Sequence, residues 1–150
     1  MAMRMINDII IHCSATRPKV DVGAKEIKQW HTQPEPYGRG WRDIGYHYII
    51  RLDGTIERGR PISRAGAHCV GHNAHSIGIC YVGGLDDSGE PADTRTPAQK
   101  SALTKLIYNL ITVYRCDVHS HHDYNSSKPC PCFDAHGEYT TIYQKIVGLR

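Results

Sequence analysis

The stretch SHHDYNSSKPCPCFD, Ser120 to Asp134, gathers two histidines, a lysine and two cysteines into a polar segment with little to bury. Imidazole and thiolate are ligands that zinc accepts, usually in a tetrahedral shell. Catalytic sites supply three of them and leave the fourth position to water. The segment can provide one histidine and one cysteine. Its Cys130-Pro131-Cys132 spacing is CxC rather than the CxxC of a structural zinc knuckle, and the sequence holds no second knuckle. That disfavours a zinc finger. A third ligand must come from elsewhere, and His12 is the best candidate. It closes the apolar run INDIIIH (residues 6 to 12), immediately before the polar SATRPK, where a rigid strand can present a side chain. Ten histidines in 150 residues make chance clusters common. Spacing alone therefore leaves a His12, His121, Cys130 centre open beside the plainer reading of hydrogen-bonded surface histidines.

These residues need a scaffold. INDIIIH fits a short buried strand. Asp21 can cap a helix from about Val22 to His31, with Ile27 and Trp30 on one face. QPEPYGRG is loop that could overhang a site. GYHYIIRLDGTIERGR is the clearest hairpin, turning at Asp53-Gly54. SIGICYVGG, residues 76 to 84, is another buried strand ended by glycines. In TPAQKSALTKLIYNLITVYR, Thr96 is the N-cap, Pro97 takes the first helical position and Gln99 completes a capping box. Leu103, Leu106, Ile107, Leu110 and Val113 form its apolar stripe. CDVHS is a last strand feeding the polar segment, and Asp134 opens a C-terminal helix to about Ile146. Four or five strands with about three helices give an α/β fold: one domain over residues 1–150, a central mixed sheet, and a metal site at strand ends.

Composition narrows the class. A net charge of +3 with interspersed acids and bases argues against a dedicated nucleic-acid binder. No apolar run reaches the roughly 20 residues of a membrane span, so no membrane partner is expected. The N-terminus lacks the features of a signal peptide, which predicts cytoplasmic synthesis. Six cysteines without such a signal are expected to be reduced thiols. Cys13, Cys69, Cys80 and Cys116 fit burial. Tyr46 and Lys128, taken by position alone, are a packing tyrosine and a solvated lysine. His47 faces away from Tyr46 and fits the core or a supporting position behind the site. His72 and His75 look exposed and generic. Trp30 and Trp41 fit core anchoring better than sugar stacking.

IIHCSAT, DIGYHYIIRLDGTIERGR, GAHCVGHNAHSIGICYVGG, TPAQ, and SHHD followed by KPCPCFD occur in that order. Together they closely resemble the zinc-dependent N-acetylmuramoyl-L-alanine amidases, a family that includes bacteriophage amidase-type lysozymes and shares its fold with peptidoglycan recognition proteins. The resemblance spans about residues 6 to 135. It implies a zinc enzyme cutting the bond between N-acetylmuramic acid and L-alanine in peptidoglycan or muropeptides, acting on the cell wall or its fragments, by default as a monomer. It places metal ligands on His12, His121 and Cys130, catalytic roles on Tyr46 and Lys128, and a polar substrate-groove motif on His68 and Asn73, which could equally brace a loop. One departure stands out: His121 to Lys128 is a residue longer than in the phage enzymes. That puts Cys132 in competition with Cys130, and His122 with His121. The resemblance also admits a non-catalytic peptidoglycan-binding module, and an amidase that additionally inhibits a phage RNA polymerase.

Overall fold

The computed structural model describes residues 4–148. Five strands form one mixed sheet: β1 (Asp8–Cys13), β2 (Tyr48–Ile50), β3 (Ile56–Arg58), β4 (Ser76–Tyr81) and β5 (Asp117–Ser120), in the order β3-β2-β4-β1-β5. β1 lies parallel between β4 and β5, with His12 opposite Cys80 and Ile10 opposite His119. β2 is parallel to β4, and β3 closes the sheet antiparallel to β2. This is the α/β mixed-sheet architecture expected from the sequence.

Strand alternation sorts the side chains. Ile9, Ile11 and Cys13 of β1, with Ile77, Ile79 and Tyr81 of β4, pack under α2 (Pro97–Tyr114) and α4 (Ala135–Tyr143). Ile49, Cys80 and Val82 face the opposite side and bury Ile27 of α1 (Ala24–Thr32). His12 points to this second side, at the carboxyl end of a central strand, where such folds commonly bind ligands.

Local chemistry explains most boundaries. Thr96 and Gln99 form the expected capping box of α2, with Gln99 N–H donating to Thr96 Oγ1 at 3.0 Å. Asp134 caps α4 through Gly137 N–H, and after Tyr143 the chain widens into a π-type turn over Gln144–Gly148. Four expectations need correction. Asp21 does not cap α1; it pairs with Arg51 at 3.2 Å, and Gly23 is the N-cap, its N–H held by Glu26. The buried residues of α1 are Ile27 and His31, four apart, while Trp30 is 41 % exposed rather than a core anchor. Val113 is likewise 67 % exposed, because Ile111, four residues after Ile107, takes the inward position on α2. Finally, the polar segment is not all loop: His121–Tyr124 forms one helical turn, α3.

One cation secures the end of that segment. The Arg95 side chain, 2 % exposed, donates to both carboxylate oxygens of Asp93 and of Glu138, and to the Tyr139 hydroxyl. Its guanidinium carbon sits 3.3 Å from the Phe133 ring centroid. Arg95 thus ties the approach to α2, the first turns of α4 and Phe133 into one knot. Replacing it by Met keeps the bulk and removes the charge. Asp93 and Glu138 are partly exposed and can rehydrate, so the loss is smaller than for a fully buried pair. Arg95→Met should lower urea-unfolding stability by about 2 kcal/mol, on the scale of hydrogen bonds to a charged group; an unchanged midpoint would refute the knot.

Candidate metal centre and active site

His12, His121 and Cys130 converge, with one ligand atom from each within 4.8 Å of the others. They arrive from separate places: His12 from buried β1, His121 from the first residue of α3, Cys130 from the loop beyond it. The His12 and His121 rings lie 4.5 Å apart, centroid to centroid. The competing neighbours are engaged elsewhere. The His122 ring donates from Nδ1 to the Lys128 carbonyl at 2.7 Å, and the Cys132 thiol donates to the Gly84 carbonyl.

The loop carrying these groups is fixed at several points. Ser120 Oγ accepts from Ala135 N–H, His122 N–H donates to the Cys130 carbonyl, and the Tyr81 hydroxyl donates to the Pro131 carbonyl at 2.6 Å. The Cys13 N–H donates to the Cys130 sulfur at 3.2 Å.

His12 is engaged through one ring nitrogen. Its Nε2 is 2.8 Å from Nδ1 of His68, whose own Nε2 is 3.2 Å from the Ser76 hydroxyl. His68 can lie against the sheet because residue 78 is glycine: a Cβ there would come within 2.6 Å of the His68 ring. Asn73 Oδ1 accepts from the N–H groups of both His68 and Cys69.

The Tyr46 ring lies 5.1 Å from that of His12, and burial raises its hydroxyl pKa, so the group stays protonated. Lys128 is exposed, and its charge is felt at His121, which burial and Lys128 together hold below the usual histidine range. His12 is also held well below that range, chiefly by burial and then by His68 and His121. Both imidazoles are therefore neutral, as metal ligation requires.

Two buried histidines support the site, and only His31 had no signal in the sequence. His31 lies beneath Tyr46 with rings 5.5 Å apart, and its Nδ1 accepts from Gly45 N–H. His47, fully buried as expected, accepts from Gly78 N–H at Nδ1 and so donates from Nε2 to the Arg64 carbonyl. His72 is not generic: it stacks on Tyr124 at 3.9 Å. Cys13, Cys69, Cys80 and Cys116 are free and buried.

Burial pushes His31 and His47 down to about 4, against about 6.5 in an unfolded chain. Below pH 6.5 the unfolded state then binds more protons than the folded one. Stability is fully present above that value and falls as the pH drops towards 4. Urea midpoints measured in chelator should start to decline between pH 6.5 and 5, above the carboxylate range; a flat profile there would contradict buried neutral histidines.

Comparison with known proteins gives the family. Residues 2–133 match the family described as N-acetylmuramoyl-L-alanine amidase. The endolysin of Enterobacteria phage T3 is 46 % identical over 127 residues, covering 84 % of this chain and 80 % of the relative. That of Escherichia phage T7 is 45 % identical over 126 residues, with the same shares. Among solved structures, the N-acetylmuramoyl-L-alanine amidase LysC from Clostridium intestinale URNW superposes with a TM-score of 0.73 at 32 % identity, covering 93 % of this chain and 84 % of that one. The chain belongs to the N-acetylmuramoyl-L-alanine amidase family and is an amidase.

Proposed function

We propose that this amidase is zinc-dependent and hydrolyses the amide between the lactyl group of N-acetylmuramic acid and the L-alanine of the stem peptide, in peptidoglycan or soluble muropeptides, with residues 1–150 acting as one catalytic domain. The observation that carries the reading is the convergence of His12, His121 and Cys130 within 4.8 Å. Two neutral imidazoles and a thiol that accepts a backbone N–H form a donor set suited to zinc, with a fourth position left for chemistry. Zinc bound there supplies a Lewis acid for the scissile carbonyl and makes water more acidic.

The chain's own groups do the rest. An amide carbonyl gains negative charge on its oxygen as it is attacked. The Lys128 ammonium stabilises that charge more than the neutral ground state, which is what accelerates a reaction. The Tyr46 hydroxyl, kept protonated by burial, donates a hydrogen bond to the same oxygen or orients the attacking water. His68 positions His12: when Nε2–H of His12 donates to His68 and His68 donates on to Ser76, the other nitrogen of His12 would be left to hold a metal. Asn73 holds the His68 loop.

The deciding experiment is mass spectrometry of a purified muropeptide incubated with the protein, with and without a zinc chelator. Free stem peptide and free sugar should appear, disappear with chelator and return with added zinc. An intact muropeptide after incubation with folded, zinc-loaded protein would overturn the proposal. A second measurement separates the two readings of His68. As a positioning residue, His68→Ala should weaken zinc binding about 10- to 100-fold, and excess zinc should restore turnover. If His68 instead touches substrate, KM rises and zinc affinity stays unchanged.

A further inference from the structure

Asp117, His119 and His136 form a second cluster of metal-ligating groups on the open edge of the sheet. One ligand atom from each lies within 4.8 Å of the others. Asp117 and His119 are two apart on β5, so they share a face. His136 comes from the first turn of α4, where Asp134 caps the helix. The imidazole rings are parallel, 4° apart in plane and 4.8 Å between centroids.

Each imidazole has one nitrogen committed and the other free. The Asp8 carboxylate can only accept from Nδ1 of His119, at 2.7 Å, so that nitrogen carries a proton and, in the neutral ring, Nε2 is the one left to bind a metal. Asp8 is itself nearly buried and held from its other oxygen by the Tyr124 hydroxyl. A carboxylate behind an imidazole is the arrangement that orients metal-binding histidines. Likewise, Nδ1 of His136 donates to the Val118 carbonyl at 2.9 Å, so Nε2 is the nitrogen the neutral ring would offer a metal. Asp117 accepts from Val118 N–H on one oxygen and from the Thr140 hydroxyl on the other, and each oxygen keeps a second lone pair. All three candidate ligands are partly open to solvent, with side-chain exposures of 23 % for Asp117, 31 % for His119 and 43 % for His136. Water can therefore complete a shell.

We propose that Asp117, His119 and His136 bind a second divalent transition-metal ion, such as zinc, cobalt or nickel, that clamps β5 to α4. Two imidazoles and a carboxylate suit such ions. Lacking a thiolate, the site binds more weakly than the His12, His121, Cys130 centre and fills after it. Its partners need to close by about an ångström to reach a shell with Zn–N of about 2.0–2.1 Å, which half-exposed side chains allow. The proposal is independent of the zinc-amidase reading, since it uses none of that centre's residues.

The test is equilibrium dialysis of the full, tag-free chain against cobalt(II), with metal analysis and absorption spectra. Wild type should take up two equivalents. The thiolate-to-cobalt charge-transfer band should accompany only the first, and the second should raise the melting temperature. His136→Gln and Asp117→Asn, checked for an unchanged circular dichroism spectrum, should each bind one equivalent and keep the band. Asp8→Asn should weaken the second equivalent about 10- to 100-fold. Cys130→Ser should lose the band while the cluster still binds, a result that counts for the second site whatever becomes of the first. A single equivalent in wild type that carries the thiolate band and persists in both His136→Gln and Asp117→Asn, or a second equivalent unaffected in both, would overturn it.

Discussion

The register of β1 against β4 and β5 is the constraint on which the rest of the structure depends. His12 sits opposite Cys80, and Ile11 sits opposite Ser120, one residue before His121. A slip of one residue would turn His12 through the sheet into the packing of α2 and bring Ile11 out among histidines. The register holds because Ile9, Ile11 and Cys13 on one side leave no room for a polar group. Hydrophobic packing on the far face thus sets the position of a metal-capable nitrogen on the near one.

That near face is unusually polar for an interior. His12, His31, His47 and His68 are all buried there, and among the described residues no buried side-chain nitrogen or oxygen lacks a hydrogen-bond partner. Burying imidazoles costs stability unless each polar nitrogen is matched. Here backbone matches two of them, with Gly45 N–H to His31 and Gly78 N–H and the Arg64 carbonyl to His47, while His12 and His68 are matched by side chains, His12 to His68 and His68 to Ser76. Rigidity around the centre follows from satisfied hydrogen bonds rather than from apolar bulk.

Much of this was legible in the sequence, for definable reasons. The capping box at Thr96, the β-branched run before His12 and the Asp53-Gly54 turn are local signals, and local signals survive folding. The order of motifs pointed to the residues that converge. Neighbour effects were not legible. Asp21 had a cap's chemistry, but Arg51 drew it away from the helix. Val113 followed the helical spacing of the stripe, but Ile111 lay nearer its centre. His31 and Ser76 support the site only through contacts across the fold, and nothing in their own surroundings in the chain marks them. The same holds for Asp8 and His119, joined over 111 positions.

The anchoring of the polar segment is uneven. From Cys130 to Asp134, the bonds to Cys13, Tyr81, Ser120 and Arg95 fix nearly every residue. From Asn125 to Ser127, the chain is exposed and turns on itself, with Asn125 accepting from Ser127 and Lys128. Chain length can therefore change in that short turn without moving either His121 or Cys130. An extra residue there is absorbed as a wider bend, while the same insertion two positions beyond Lys128 would carry the sulfur away from the histidines. For a lineage of such enzymes, the bend between the second histidine and the lysine is the place where the segment is free to drift.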